Sequence, residues 1–252
     1  MIRNTHPLST AAWRGARKLA TAIAVTATLA ASAQAANIGF EGYLGPVGGT
    51  EVWQEGNYNV GFYANQADGG EGYLVGQFID GIESSCDSSS MACPVGHAGT
   101  YYGALNDSYI DIWTQDDTAF RVAAFDAAFI GSSPSLGSYP AIPALVRLQG
   151  FLADGSYLLQ DFQLTGATPA GFQFGRFETT GAFAQTAFVE LLAFGLVCNA
   201  TGSSCTAFNT NRAQFGIDNI ELNAVPEPGT VAMLGLGLAG LVGARRRKLQ
   251  QA

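Results

Sequence analysis

Charged residues are scarce in this sequence: they make up 13% of the chain, half of the roughly 25% that is usual. Residues 36–225 contain no lysine, and their four arginines stand against 19 acidic residues, which gives this segment a charge of −15. Phosphate backbones would repel such a segment, so nucleic acid is excluded as a partner. Its natural counter-ions are metal cations or basic surfaces.

Catalytic motifs are also scarce. Residues 36–225 contain one histidine, His97, and neither a G-x-S-x-G elbow nor an H-E-x-x-H motif is present. A lone histidine in a glycine-rich loop is expected to face solvent. Paired carboxylates could support glycoside hydrolysis, and the candidates are Asp111, Asp116, Asp117 and Asp126. Their spacing does not define a catalytic pair, so we expect a protein that is not an enzyme.

Glycine is abundant, with 32 residues in 252, or well above the ~7% that is typical. Few charges and many glycines argue against a helical bundle and favour strands joined by tight turns. Apolar side chains alternate with a period of two in several runs, which cover residues 73–79, 109–113, 120–125, 144–152, 156–164, 187–197 and 214–222. Many short strands without intervening helices predict a mainly β domain over residues 36–224, an antiparallel β-sandwich of the jelly-roll type.

Two of these runs give more detailed predictions. Residues 144–164 predict a hairpin with Asp154 and Gly155 at its tip. Residues 187–197 are apolar on both faces, which predicts a central strand.

The N-terminus is typical of a secretory signal peptide over residues 1–35. A basic region ends at Lys18, small apolar residues follow over 19–31, and Ala33 and Ala35 supply the small-x-small cleavage site. We therefore expect signal peptidase to cut after Ala35.

The C-terminus has three parts. A polar motif consists of Val225, Pro226, Glu227, Pro228, Gly229 and Thr230. The following apolar run predicts a transmembrane segment over residues 229–244, which is marginal for a ~30 Å hydrocarbon core. A basic stop consists of Arg245, Arg246, Arg247 and Lys248. This cluster is expected to stay cytoplasmic, which leaves the acidic domain on the other side of the membrane.

In order, spacing and terminal position, the three parts of residues 225–252 resemble the PEP-CTERM sorting signal of Gram-negative bacteria. The resemblance implies an exosortase, a membrane cysteine protease, as the processing partner. It also implies export through the inner membrane, a transient single-pass precursor, and delivery to the cell surface or the extracellular space. The predicted function is that of a non-catalytic surface or extracellular-matrix protein associated with exopolysaccharide.

The four cysteines form two loops of equal size. Cys86 and Cys93 enclose one loop, and Cys198 and Cys205 enclose the other, each with six residues between the cysteines. An even number of cysteines in an exported chain predicts disulfides, with three possible connectivities. We expect the two local bridges. The alternative is a zinc site with four cysteine ligands, which usually has closer spacing.

Two short motifs bracket the predicted domain. Residues 37–41 read N-x-G-F-E, and Gln214, Phe215 and Asp218 form a Q-F-x-x-D pattern. This bracket resembles galactose-binding-type and carbohydrate-binding jelly rolls, and the exported PEP-CTERM proteins that carry a QFxxD motif. The resemblance implies a structural Ca²⁺ held by Glu41 and Asp218, with further oxygens from backbone carbonyls or Asn219. The alternative is that both acids simply cap strand ends.

The apolar pattern changes phase beside Asp218. Phe215 and Ile217 share one face of the predicted strand, whereas Ile220 and Leu222 share the other face. A β-bulge near Asp218 would produce this shift and turn the carboxylate sideways.

A carbohydrate-binding module that recognises exopolysaccharide or another surface glycan is the alternative function, and a polysaccharide-active enzyme is a weaker one. Aromatic side chains could form a platform on which sugars stack, although aromatics in sandwiches more often belong to the core. The candidates are Trp53, Tyr58, Tyr63, Tyr101, Tyr102 and Trp113.

Overall fold

The computed structural model describes residues 35–65, 72–82, 86, 90–208 and 211–225, together with positions 235 and 237. The chain divides into two units, residues 1–34 and 35–252, and the first unit lies outside the described residues. The predicted transmembrane segment at 229–244 and the basic stop at 245–248 also lie outside them, apart from Gly235 and Gly237. Within the described residues, no helix has the length and apolar character needed to cross a bilayer.

Strands dominate the described part of the chain. In chain order they are β1 (Ala35–Ile38), β2 (Gly45–Gly48), β3 (Glu51–Glu55), β4 (Tyr58–Ala64), β5 (Leu74–Asp80), β6 (Pro94–Val95), β7 (Thr100–Ala104), β8 (Ser108–Thr114), β9 (Phe120–Phe129), β10 (Ala144–Phe151), β11 (Tyr157–Gln163), β12 (Phe172–Gln173), β13 (Gly175–Glu178), β14 (Glu190–Cys198), β15 (Cys205–Thr206) and β16 (Phe215–Ala224). Within residues 35–225, the described part of the chain also contains a 3₁₀ turn (Leu136–Ser138) and a short helix, α1 (Gly181–Gln185).

The long strands form two seven-stranded antiparallel sheets. Sheet 1 has the order β13-β9-β16-β7-β5-β2, with β1 paired to β16. Sheet 2 has the order β11-β10-β14-β8-β4-β3, with β15 paired to β14. Alternate side chains of both sheets meet in one apolar core. The predicted antiparallel β-sandwich of the jelly-roll type is therefore confirmed.

The detailed strand predictions are also confirmed. β10 and β11 form the expected hairpin, and Gly155 adopts a φ of +82° at its tip, which glycine accepts without strain. β14 lies between β10 and β8 near the middle of sheet 2. Its two-sided apolar sequence suits this central place, because neighbouring strands and the covering loops bury most of its residues.

The expected β-bulge is present in β16. The pairing of β16 with β9 changes register between Asp218 and Glu221, and Asn219 has a φ of 49°. As a result, Ile217 and Ile220 both reach the core, although they are three residues apart. The side chain of Asp218 is thereby turned away from that core.

Both local disulfides form as predicted, Cys86 with Cys93 and Cys198 with Cys205. The first bridge belongs to a small second apolar cluster, which also contains Ile79, Tyr101 and Ile130. Tyr101 points away from the central core that its neighbour Tyr102 joins. The disulfide segment therefore covers part of the outer face of sheet 1. On the outer face of sheet 2, Phe208 packs against Phe194 of β14 and lies 6.2 Å from the ring of Tyr109 of β8.

Candidate functional site

His97 and Asp218 form a buried pair on the outer side of sheet 1. The Nε2 atom of His97 lies 2.7 Å from Oδ2 of Asp218, and the two side chains are 7% and 1% exposed. The imidazole packs between the rings of Tyr101 and Phe174. The expectation that His97 faces solvent is therefore wrong, because the disulfide segment folds over the sheet and carries the histidine to the bulge.

Two further acids border this pair. Glu55 accepts hydrogen bonds from the backbone N–H groups of Gly39 and Phe40, at 2.9 and 2.8 Å. Glu41 follows in the next turn, and its carboxylate lies against Gly99, where a Cβ would collide with it. The structure thus brings Glu41 and Asp218 together beside Gly39 and adds Glu55, which no local pattern in the sequence indicated.

The pKa values of Asp218 and Glu55 are raised because these acids are buried close to other negative charges. Burial raises the pKa of Asp218, and the hydrogen bond from His97 opposes that rise. Burial also raises the pKa of Glu55, to which the negative charges of Asp218 and Glu41 contribute further. Among the described residues, Oδ1 of Asp218 has no hydrogen-bond partner although it is buried. This corner of the fold therefore favours a bound cation or proton.

The fit of these residues to a calcium ion is partial. Asp218 supplies one buried carboxylate oxygen without a hydrogen-bond partner among the described residues, and Glu41 also lies beside Gly39. Both oxygens of Glu55 are already engaged with backbone N–H groups. In the part of the chain that the structure describes, no group of three or more His, Cys, Asp or Glu side chains is placed to hold a metal ion. Asp218 also lies within β16, which argues against a strand-end cap for this residue.

The outer face of sheet 2 carries a second set of candidate residues beside the part that Phe208 covers. Tyr109, Asp111 and Trp113 alternate along β8 with the core residues Ile110 and Ile112. Because side chains alternate across a strand, these three share the outer face. The strand register places Tyr63 beside Tyr109 and Glu190 beside Trp113.

The geometry of this face is defined by the two tyrosines and the aspartate. The rings of Tyr63 and Tyr109 lie 5.5 Å apart and 28° from parallel. Tyr63 lies flat over Gly61, where a Cβ would come within 2.5 Å of the ring. Gly61 pairs with Asp111, so this glycine lets the tyrosine approach the carboxylate.

Asp111 is chemically distinct from an ordinary surface acid. Its Oδ1 atom is buried and has no partner among the residues that the structure describes. Burial, with a smaller contribution from the charge of Glu190, raises the pKa of Asp111 to about 7. Near neutral pH this carboxyl group can therefore either donate or accept a hydrogen bond.

Only part of the predicted aromatic platform lies on this face. Tyr58, Tyr101 and Tyr102 are buried, and Trp53 packs edge-on against Tyr43 with ring centres 4.0 Å apart. Tyr63 and Trp113 are the two candidates that lie outside the core. Tyr109 and Glu190 are not among the residues that the sequence patterns single out. The alternation of Tyr109 with Asp111 and Trp113 in a predicted strand is the signal that indicates Tyr109.

The four aspartates considered for glycoside hydrolysis are not gathered in one place. Asp111 lies on sheet 2, whereas Asp126 lies on sheet 1, where it accepts a hydrogen bond from Asn219. Asp116 and Asp117 belong to the turn between β8 and β9. They therefore form no common cluster.

Comparison with protein families identifies one feature of the chain. Residues 224–248 match the PEP-CTERM protein-sorting motif. The resemblance of the C-terminal tail to this signal is therefore confirmed, and it implies export with a membrane-anchored sorting intermediate. No curated protein sequence matched the chain.

Several solved structures are similar to the sandwich at low identity. The CBM22-2 xylan-binding domain of Xyn10C from Paenibacillus barcinonensis is 13% identical, with 75% of this chain and 98% of that domain covered and a TM-score of 0.33. TmCBM61 in complex with beta-1,4-galactotriose is 8% identical, with 66% and 88% covered and a TM-score of 0.28.

The enzymatically active domain of bacteriophage CBA120 tailspike protein 4 is 8% identical, with a TM-score of 0.28. The alignment covers 67% of this chain but only 19% of that protein. TM-scores in this range support no inference about binding or catalysis.

Proposed function

We propose that this chain is a non-catalytic protein of the cell surface or extracellular matrix, which an exosortase sorts and processes. The observation that carries the proposal is the sorting motif at residues 224–248, which starts where β16 ends at Ala224. The backbone N–H of Val225 still bonds to the carbonyl of Ala119, so Pro226 is the first motif residue beyond the described sandwich.

The position of β1 at the N-terminal end of the sandwich is compatible with removal of a signal peptide during export. β1 pairs with β16, and Ala36 lies opposite Leu222. Cleavage after Ala35 would leave three of the four residues of β1 in the sheet. Mass spectrometry of the surface protein tests the proposal: it should find an N-terminus at Ala36 and no peptide beyond residue 230.

Glycan binding through the outer face of sheet 2 is a second candidate function. It is favoured by the two nearly parallel tyrosine rings beside the half-buried carboxyl group of Asp111. Aromatic rings pack against the apolar face of a sugar, while a carboxyl group bonds to its hydroxyls. A sheet face suits a polysaccharide chain, and exopolysaccharide is the glycan that a sorted matrix protein would meet.

We expect Tyr109→Ala to weaken binding of neutral oligosaccharides from the cell's own exopolysaccharide about tenfold, or ~1.4 kcal/mol, through the lost ring contact. Isothermal titration calorimetry gives the affinity. Tyr157→Ala is the matched control, since Tyr157 is 55% exposed at the edge strand of the same sheet. Equal affinity of the Tyr109 variant and the unaltered protein would contradict glycan binding at this face, and release of cleaved sugars would contradict a non-catalytic role.

We also propose a structural Ca²⁺ that Glu41 and Asp218 hold beside Gly39. Three observations support it: the free oxygen of Asp218, the crowding of three carboxylates, and the −15 charge of the domain. Calcium takes six to eight oxygen ligands, so backbone carbonyls and water would have to complete the shell. The ion would offset the repulsion among these acids.

Calcium should raise the melting temperature of the mature protein, because an ion that binds only the folded state stabilises it by about 2.7 kcal/mol at a hundredfold excess over Kd. Differential scanning calorimetry in calcium and in chelator measures the effect. Asp218→Asn should abolish the response, whereas Asp154→Asn, at an exposed hairpin tip, should preserve it. Superimposable curves for the unaltered protein in both buffers would rule the ion out.

A further inference from the structure

The arginines of the exported domain are paired, with one exception. Arg147 makes two hydrogen bonds with Asp161, at 2.6 and 2.7 Å, and Arg176 contacts Glu221 at 2.7 Å. Arg121 donates to the backbone carbonyl of Gln185 at 3.0 Å. Arg212 makes no hydrogen bond or ion pair with any residue that the structure describes. Arg121 and Arg212 therefore both lack a carboxylate partner in a domain with 19 acids, and only Arg212 also lacks a backbone hydrogen bond, which leaves its guanidinium available for a ligand.

The loop that carries Arg212 is held in a fixed position. The buried carboxylate of Asp107 accepts hydrogen bonds from the backbone N–H groups of Asn211 and Ala213, at 2.7 and 3.0 Å. These two residues flank Arg212, so one side chain anchors the backbone on both sides of it. The carbonyl of Ala213 also lies against Gly195 of β14, where a Cβ would not fit. The position of Arg212 therefore follows from the packing of the sandwich.

Arg212 lines a cavity of about 300 Å³, which we call the Arg212 cavity. One wall is formed by Tyr139, Pro140 and Pro143, and Ser132 and Ser138 contribute hydroxyl groups. The opposite wall is the start of the second disulfide loop.

The aromatic wall of the Arg212 cavity is rigid. The hydroxyl of Tyr139 donates to the carbonyl of Ser133 at 2.8 Å and accepts from its N–H at 2.7 Å. The tyrosine ring packs edge-on against Phe129 and Phe172. The volume lies at the lower end of the range of small-molecule sites, which start near ~300 Å³. The cavity is therefore suited to a ligand of about one sugar ring.

We propose that the Arg212 cavity binds a carboxylated sugar, with the carboxylate on the guanidinium of Arg212 and the ring against the wall of Tyr139, Pro140 and Pro143. The planar guanidinium matches a carboxylate through two parallel hydrogen bonds. The proline and tyrosine surfaces suit the apolar face of a sugar ring, and the two serine hydroxyls suit its hydroxyl groups. This site is separate from the outer face of sheet 2 and does not rest on glycan binding there.

The negative charge of the domain explains why a carboxylated sugar would bind at the Arg212 cavity and not elsewhere on the surface. Carboxylated ligands are repelled by a surface of net charge −15, so they are expected to bind only where an unpaired cation offsets that repulsion. Arg212 supplies such a cation at a cavity, whereas the guanidinium groups of Arg147 and Arg176 are already engaged with acids.

The test uses the full chain, purified in a detergent without a sugar head group, and isothermal titration calorimetry with D-glucuronic acid and its methyl ester. The ester removes the ligand charge and adds one methyl group. We expect the acid to bind at least about tenfold more tightly than the ester, since a charge-assisted bidentate contact is lost. Arg212→Gln should abolish this difference, and Arg212→Lys should keep part of it. Arg121→Gln is the matched control and should behave as the unaltered protein.

Three results would overturn the proposal: equal affinity for acid and ester, unchanged affinity in Arg212→Gln, or equally tight binding of inorganic phosphate, which would indicate a general anion site. Tyr109→Ala separates the two sites, because it should leave glucuronic acid binding intact. If Arg212→Gln leaves the affinity for glucuronic acid unchanged while Tyr109→Ala weakens the binding of neutral oligosaccharides, only the proposal for the Arg212 cavity is rejected. If Arg212→Gln weakens glucuronic acid binding while Tyr109→Ala has no effect on neutral oligosaccharides, only glycan binding on sheet 2 is rejected.

Discussion

Replacing Glu227 with alanine is expected to keep the chain in the inner membrane with its C-terminal tail intact. Glu227 belongs to the matched sorting motif and follows the last residue of β16 by three positions, so the substitution changes the sorting signal outside the strands of the sandwich. Replacing Pro226 should have the same effect. The expected change is close to complete, because processing depends on recognition of the motif and not on a graded property of the fold. Membrane fractionation followed by mass spectrometry should find peptides that include residues 245–248.

A glutamate near the motif provides the matched control. Glu221 lies in β16 and pairs with Arg176 on the surface of sheet 1, at 2.7 Å. Exposed ion pairs of this kind contribute about 0–1 kcal/mol, so Glu221→Ala should fold and be processed normally. An unaltered surface protein that retains residues 245–248, or a Glu227 variant that is processed normally, would refute exosortase sorting.

Replacing His97 with alanine is expected to give the largest loss of stability of any single substitution considered for this protein. It removes the hydrogen-bond partner of Asp218, whose side chain is 1% exposed, and it also removes the ring that packs against Phe174. Breaking a buried pair on one side costs about 3–5 kcal/mol. For a domain of this size, the melting temperature should fall by about 10 °C. Thermal unfolding of the mature protein, followed by circular dichroism, measures this change.

The loss should depend on pH in a defined direction. Burial raises the pKa of Asp218, so the folded protein keeps a proton that the unfolded chain has already released. The contribution of the Asp218 carboxyl group to the free energy of unfolding is therefore fully present below the ordinary pKa of an aspartate. It is lost as the pH rises through the raised pKa that Asp218 has in the folded protein. His97 lowers that folded pKa. Without it, the cost of ionising Asp218 grows, so His97→Ala should be mild near about pH 4 and severe near about pH 7.

His97→Gln is the control that separates the hydrogen bond from packing. The glutamine amide can still donate to Asp218, so this variant should recover part of the stability that alanine loses. If both variants melted at the same temperature at every pH, the contact with Asp218 would contribute nothing measurable. The buried pair would then have only a packing role.

Local chemistry explains the predictions that the structure confirms. The Asp154–Gly155 tip follows from the few turns that join two neighbouring strands, and the bulge in β16 follows from a phase change within eight residues, 215–222. The disulfides join cysteines only seven positions apart, so a short loop can close them in any compatible fold. The sorting motif is likewise contiguous in the chain. Each of these features depends on residues close together in the sequence.

The candidate sites depend on residues that are far apart in the sequence. His97 and Asp218 are separated by 121 positions, and Tyr63 meets Tyr109 only because β4 pairs with β8 in one particular register. The sequence placed Glu41 and Asp218 as a possible pair by resemblance, but it contained no sign of Glu55 or of the burial of His97.

The sequence by itself predicted seven strand runs, the turn at Asp154 and Gly155, the two local bridges and the sorting tail, because period-two patterns, turn residues and short motifs act locally. Tertiary structure alone decided what covers each outer face and which charged side chains find partners. A strand pattern separates its own two faces but does not say what packs on either one. The packing on each face is decided when segments that are distant in the sequence come together. Residues 90–97 pack over sheet 1, and residues 211–213 pack beside Asp107.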